Sequence, residues 1–257
     1  MTKATAMSKG LRLEVEGLQR LARIPQTSEK ARERLLESIF LNGVTEFESF
    51  LEDVFFAAVS KKIRPGKTKP VIDFRDPKAA RSLLIRPREH YLNWMPLEHS
   101  LERADQFLKK GVPFSRLGSR PFVKSRLKVA TAVRNAVAHK GESARKRFDQ
   151  ATSGKYRSPG EYLGAKLGQG TICDGFLEDF VRFGHALCVS DAQAVRLLGP
   201  EGPYQSGTKV DPGTYVCQTC KTKHTLLRRE GLACEVCDPP CATCGAPTSK
   251  RAEFQPA

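Results

Sequence analysis

The sequence predicts an all-α helical bundle followed by a small C-terminal β module. Apolar residues recur at helical spacing along most of residues 8–198, which is typical of packed helices. Residues 199–213 are rich in proline and glycine and have the composition of a linker. Six of the eight cysteines then fall within residues 217–244, which indicates a compact terminal module. The predicted division is a helical domain at 8–198, a linker at 199–213 and a module at 214–257.

The first two helices are expected at residues 8–24 and 28–62. The second has a wide apolar stripe at helical spacing, formed by Leu35, Leu36, Ile39, Phe40, Phe47, Phe50, Leu51, Val54, Phe55 and Val59. Because so wide a stripe must be buried against several neighbours, this segment is predicted to be the central helix. Its carboxylates occupy other faces, where most are expected to be solvated: Glu46, Glu48, Glu52 and Asp53.

Prolines mark the middle of the helical domain. Asp76-Pro77 combines a capping side chain with a first-turn proline, so a short helix is expected from there to about Ile85. The irregular stretch from Pro87 to Pro96 holds the only tryptophan, Trp94, which is predicted to fill the core. The next helices are predicted at Pro96–Lys110 and Pro121–His139.

The last third of the helical domain begins with a polar stretch. Residues 141–172 are glycine-rich and are expected to form a long excursion. Residues 175–198 are predicted to be the closing helix. His185 lies in its apolar part and is expected to be a hydrogen-bonded core histidine, and the isolated Cys173 and Cys188 are expected to be core residues.

Positive charge is concentrated in one part of the chain. The formal charge is +15, from 43 Lys and Arg against 28 Asp and Glu. Residues 109–148 contain twelve basic side chains and one acidic side chain, Glu142, whereas residues 211–257 carry a net charge of only +1. A charge run is usually a solvated face, but a nearly single-signed one predicts a docking surface for a polyanion.

Residues 132–141 lie within this basic segment and carry a cluster of polar groups. A spacing of four places Asn135 and His139 on one helix face, and Arg134 can reach the same region with its long side chain. Gly141 is a natural helix stop, so His139 is expected in the last turn, where the helix dipole favours the imidazolium form. A cation, an amide and an imidazole at a helix end suit phosphate chemistry. The alternative is a solvated Arg134 and a His139 that only caps the helix.

The pattern Arg134-Asn135-x-x-x-His139, followed by Lys-Gly, resembles the signature of the HEPN superfamily, an all-helical group that includes many metal-independent ribonucleases. Residues 42–53 resemble the long acidic and apolar helix of that fold. Residues 157–163 and 175–189 are similar to the closing segments of its RiboL-PSP and MAE-type branch. The resemblance extends over about residues 10–195 and is strongest at the six-residue motif.

The HEPN resemblance implies an endoribonuclease in which Arg134, Asn135 and His139 are the catalytic residues. It implies RNA as the substrate and a homodimer that brings two motifs to one cleft. The products would be 2′,3′-cyclic phosphate and 5′-hydroxyl ends. The setting would be bacterial RNA restriction, in a toxin–antitoxin pair or antiphage defence, with an antitoxin or another protein as a possible partner. Glu48 matches the family's helix pattern and is a candidate for orienting Arg134. The alternative is a non-catalytic HEPN scaffold that binds nucleic acid or a protein partner.

Membrane and secretion signals are not expected. The sequence has no run of 18 apolar residues, and residues 1–10 lack the apolar segment of a secretory signal. A cytoplasmic location, with reduced cysteines, is therefore predicted.

The clustered cysteines form three Cys-x-x-Cys pairs: Cys217 and Cys220, Cys234 and Cys237, and Cys241 and Cys244. Each pair can place two thiolates on one tetrahedral zinc, so two pairs are needed. Spacing alone fits the first pair with the second. The stretches Pro-Gly-x-Tyr-x-Cys-x-x-Cys and Pro-Pro-Cys-x-x-Cys-Gly are similar to a bacterial zinc-ribbon family. That similarity implies the ligands Cys217, Cys220, Cys241 and Cys244, with Cys234, Cys237 and His224 as alternatives. Four thiolates leave no open position on the metal, so the zinc would be structural.

Overall fold

A computed structural model describes residues 2–63, 68–71, 81, 84 and 92–198, together with the backbone of six short strands between residues 204 and 256. The part up to residue 198 is almost entirely helical, which confirms the prediction of an all-α bundle. None of the described helices is long and apolar enough to cross a membrane.

The helices follow one another with short connections. They are α1 (Lys3–Ala22), α2 (Glu29–Val59), α3 (Leu97–Phe107), α4 (Ser115–Gly118), α5 (Pro121–Ala138), α6 (Glu142–Ala151), α7 (Pro159–Gly164), α8 (Ile172–Cys188) and α9 (Asp191–Leu198). A 3-10 turn at Lys109–Gly111 follows α3, and a small hairpin of β1 (Lys166–Leu167) and β2 (Gly170–Thr171) precedes α8.

Side chains at the helix starts explain where several of these elements begin. The Ser28 hydroxyl accepts a hydrogen bond from the Ala31 backbone N–H before α2. Thr171 and Asp174 form a reciprocal capping box at the start of α8. Proline occupies the first turn of α5, where its missing N–H has no helical partner to lose.

Helix α2 is the centre of the bundle, as its apolar stripe predicts. Phe40 meets Phe176 edge to face with ring centroids 5.3 Å apart, and Phe47 stacks on Phe180 at 4.9 Å. A Cβ on Gly43 would lie 2.4 Å from Leu177 Cδ2, so α2 and α8 approach closely here. Trp94 is 1% exposed, which confirms that it fills the core.

The predicted closing helix is two helices. Helix α8 ends at Cys188 and α9 begins at Asp191. Arg116 donates from Nη1 to the carbonyl oxygens of Ala186 and Val189, both at 2.8 Å, and from Nε to Asp191 Oδ1 at 3.0 Å. One guanidinium thereby satisfies carbonyls that the end of α8 leaves unpaired, which stabilises the break.

The predicted polar excursion at 141–172 also differs from expectation, because it contains α6, α7 and the hairpin. The short helix predicted from Asp76 to Ile85 lies largely outside the described residues.

The backbone of the C-terminal part forms antiparallel strands. Strands β3 (Tyr204–Gln205), β8 (Glu253–Pro256), β5 (Gly213–Cys217) and β6 (Lys223–Leu226) lie side by side in that order. Strand β4 (Lys209–Val210) pairs with β7 (Glu230–Gly231). The first strands therefore lie inside the segment predicted to be a linker.

Candidate active site

Helix α5 carries the predicted motif at its C-terminal end. Its core side is anchored by buried Phe122, Val123, Leu127, Ala130 and Val133. The helix ends at Ala138, and His139 follows in an extended conformation with φ −129° and ψ 113°. The His139 N–H still donates to the Asn135 carbonyl oxygen at 2.8 Å. His139 is therefore the cap of α5 and not part of its last turn.

Gly141 does not end the helix, contrary to the sequence prediction. Its φ of −75° is open to any residue, and it serves as the N-cap of α6. The chain leaves α5 at His139 and re-enters a helix within three residues. This short connection separates His139 from the regular helix surface and leaves its residue exposed.

The structure brings Arg134 and Asn135 into direct contact. Arg134 Nη1 donates to Asn135 Oδ1 at 3.1 Å, and both residues are half-buried. Successive helical residues point about 100° apart, so this bond turns the guanidinium towards the face of Asn135. The cation and the amide act as one polar unit, and the exposed imidazole of His139 lies four residues further along the chain.

A carboxylate from the central helix lies near the Arg134 charge. Glu48 on α2 accepts a hydrogen bond from the Met95 N–H at 2.9 Å. Burial raises the pKa of Glu48, while the Met95 N–H and the positive charge of Arg134 oppose that rise. The structure thus supplies an electrostatic connection between Glu48 and Arg134.

Sequence reasoning missed the role of a second carboxylate. Glu52 was expected to be solvated, but its Oε2 accepts from Trp94 Nε1 at 2.8 Å and its Oε1 pairs with Arg81 at 3.0 Å. Glu48 and Glu52 together hold the segment around Trp94 against α2. Their i, i+4 spacing, which puts two carboxylates on one helix face, was the signal available in the sequence.

The basic segment divides into two kinds of side chain. Arg126 donates from Nε to Asp179 Oδ2 at 2.7 Å and lies over the Phe176 ring at 4.1 Å. Arg116 is bound at the break between α8 and α9, and Arg120 is only 5% exposed. These arginines contribute to packing, so only part of the positive charge is available to an external polyanion.

His185 lies on α8 and faces α1. Its Nδ1 and the Ser8 hydroxyl are hydrogen-bonded at 2.8 Å, as expected for a satisfied histidine. It lines a cavity of about 310 Å³ with Arg12, Glu178 and Arg182. Burial, reinforced by the charge of Arg12, lowers the pKa of His185.

Cysteines in the described helical part are unsuited to metal binding. Cys173 is buried and Cys188 half-buried, and burial raises the pKa of each thiol to about 12. Within residues 2–63, 68–71, 81, 84 and 92–198 no three His, Cys, Asp or Glu side chains cluster as metal ligands. The predicted zinc ligands lie outside the described residues, apart from the backbone of Cys217 in β5.

Comparisons with known proteins give no match: no protein-family model, curated protein or solved structure corresponds to this chain.

Proposed function

We propose that this protein is a metal-independent endoribonuclease of HEPN type. The observation that carries the proposal is the motif at the end of α5, where Arg134 is held by Asn135 and His139 is exposed four residues later. The helical bundle and the motif spacing agree with the family resemblance. The proposed setting is bacterial RNA restriction, in a toxin–antitoxin or antiphage system.

Cleavage by this chemistry requires three actions. A base removes the proton from the ribose 2′-hydroxyl, an acid protonates the leaving 5′-oxygen, and a cation stabilises the negative charge on the phosphorus centre. His139 supplies proton transfer, and the planar fork of Arg134 binds two phosphate oxygens. Asn135 orients the Arg134 guanidinium. Attack by the 2′-oxygen breaks the bond to the 5′-oxygen, which leaves 2′,3′-cyclic phosphate and 5′-hydroxyl ends.

One motif provides one histidine, whereas the reaction needs both an acid and a base. A homodimer with two motifs at a shared cleft would supply both groups, as the family resemblance implies. Light scattering at micromolar concentration should then give about twice the chain mass, since a two-fold dimer is the commonest oligomer. A monomer that cuts RNA would contradict this arrangement.

The terminal module is proposed to be a zinc ribbon with Cys217, Cys220, Cys241 and Cys244 as ligands. Metal binding and folding of so small a unit are one equilibrium, so removal of zinc should unfold it while the helical part remains folded. Native mass spectrometry of Cys241→Ala should show loss of zinc. If Cys234→Ala loses the metal and Cys241→Ala keeps it, the alternative ligand pair is correct.

A non-catalytic scaffold that binds nucleic acid is the second candidate. The exposed lysines Lys124 and Lys128 on α5 favour it, because they can bind phosphates without any chemistry. A protein partner or an antitoxin could occupy the same surface.

The decisive experiment incubates RNA with the wild-type chain and with His139→Ala, both in EDTA, and sequences the cut ends. His139→Ala should lower the cleavage rate by about two to four orders of magnitude, the usual contribution of a positioned acid or base. His99→Ala, a histidine on α3, is the matched control and should retain activity. Equal cleavage by wild type and His139→Ala would refute the enzyme and favour the scaffold.

A further inference from the structure

Helix α5 presents a continuous polar stripe that leads to the motif. Taking about 100° per residue, Lys124, Lys128, Thr131 and Asn135 fall within a sector of roughly 60° on one side of the helix. Lys124 and Lys128 are exposed, and Thr131 and Asn135 are half-buried. The core residues of α5 lie on the other side. At about 1.5 Å per residue, the stripe runs roughly 22 Å from Lys124 to His139.

The charge of this stripe has one sign. Among the described helices of ten residues or more, α5 alone contains no Asp or Glu. On α1, α2 and α8 the basic side chains alternate with acidic ones, which is typical of an ordinary solvated surface. Thr131 and Ala138 are short, so no long side chain other than the two lysines rises from the stripe before the motif.

The lysines and arginines of α5 have different roles. Arg126, on the core side, is bound to Asp179 and covers Phe176. Its planar group suits such fixed contacts, whereas a lysine is a flexible point charge suited to phosphates. The lysines on the outer side are therefore the cations of this helix that are placed to meet an external anion.

We propose that Lys124 and Lys128 form a phosphate track that guides single-stranded RNA to Arg134 and His139. This inference rests on the proposed function, since the track ends at the proposed catalytic motif. A single row of cations about 6 Å apart follows one sugar–phosphate backbone, whereas duplex RNA is bound across its minor groove through both strands. Attack in line with the leaving oxygen also requires a strand that can leave the A-form geometry.

The test measures binding separately from cleavage. A fluorescent single-stranded RNA is titrated with His139→Ala protein over a series of salt concentrations, so that no strand is cut. Each phosphate contact to a single strand contributes about 0.7 to the slope of log affinity against log salt. Lys124→Gln with Lys128→Gln should therefore reduce the slope by about 1.4. The expected loss of affinity is about 20-fold at 0.1 M salt relative to a 1 M reference.

The matched control is Lys9→Gln with Lys30→Gln, which removes the same charge from exposed positions on α1 and α2. It should leave the slope within error of the parent. An equal change in both double variants, or none in either, would overturn the track, as would an equal loss of affinity for a duplex of the same sequence. If the wild type cuts no RNA but only the α5 variant loses binding, the track stands and the enzyme proposal fails.

Discussion

Arg126 on α5 and Asp179 on α8 are joined by a hydrogen-bonded ion pair, with Nε 2.7 Å from Oδ2. Asp179 also accepts from Arg182 Nη2 at 2.5 Å, so one carboxylate balances two guanidinium groups. The side chains of Arg126 and Asp179 are only 16% and 12% exposed. This pair fixes the motif helix against the bundle at a point where two positive charges would otherwise repel each other.

Removal of Asp179 should therefore destabilise the fold strongly. Asp179→Ala leaves two partly buried guanidinium groups without their shared carboxylate, and we expect the free energy of unfolding to fall by about 3 kcal/mol. Urea unfolding followed by circular dichroism measures this change. Asp149→Ala is the control, because its partner Arg145 is 47% exposed and such surface pairs contribute less than about 1 kcal/mol. Similar losses in the two variants would contradict the assigned role of Asp179.

Gly160 should not tolerate even a methyl group. A Cβ there would lie 2.6 Å from Glu33 Cβ and 3.0 Å from the Glu33 carbonyl oxygen on α2. Gly160→Ala would force α7 away from α2, and we expect a loss of about 1–3 kcal/mol in unfolding free energy.

Gly17 provides the opposite expectation for the same substitution. It lies within α1, and a Cβ there meets no atom within 4 Å. Gly17→Ala should stabilise the protein by about 1 kcal/mol, because alanine favours a helix interior. Thermal unfolding compares the two variants directly. A neutral Gly160→Ala would mean that α7 can shift away from Glu33 at little cost.

The sequence predicted the elements that bury many apolar side chains and missed those that bury few. The stripe of α2 is long enough to specify a central helix by itself. Helix α6 has one buried residue, Phe148, so its composition resembles a loop. The break after Cys188 depends on Arg116, which is distant in sequence and bonds to the end of α8. No local pattern contains that information.

The candidate site was predictable in its residues but not in its geometry. The motif identified Arg134, Asn135 and His139. The bond between the first two, the exposed cap position of His139 and the nearby charge of Glu48 all depend on how α5 ends and packs. The charge of residues 109–148 was overestimated as a docking surface, since several arginines there are bound within the fold.

Stability should decrease in mild acid because of His185. Burial lowers the pKa of this imidazole in the fold, so the unfolded chain binds the proton more readily. The stabilising contribution is complete above the ordinary pKa of about 6.5. It is lost as the pH falls from there through the lower pKa of the folded state.

The His185→Gln variant tests this assignment. Glutamine can still bond to Ser8 but does not titrate, so the thermal midpoint should depend less on pH between about pH 5 and pH 7. His99→Gln is the matched control and should keep the dependence of the wild type. An unchanged dependence in His185→Gln would show that another group controls the response to acid.

Arg134→Lys separates the shape of the cation from its charge. Lysine keeps the positive charge, but it lacks the planar fork that can bind Asn135 and two phosphate oxygens together. We expect kcat to fall by about 100-fold, the effect of losing one preorganised donor to a developing negative charge. RNA affinity in the His139→Ala background should change less than threefold, because several phosphate contacts determine it. Arg147→Lys, an exposed arginine on α6, is the control and should leave kcat unchanged. If Arg134→Lys instead weakens binding and leaves kcat intact, Arg134 is a docking cation, and a different group must stabilise the transition state.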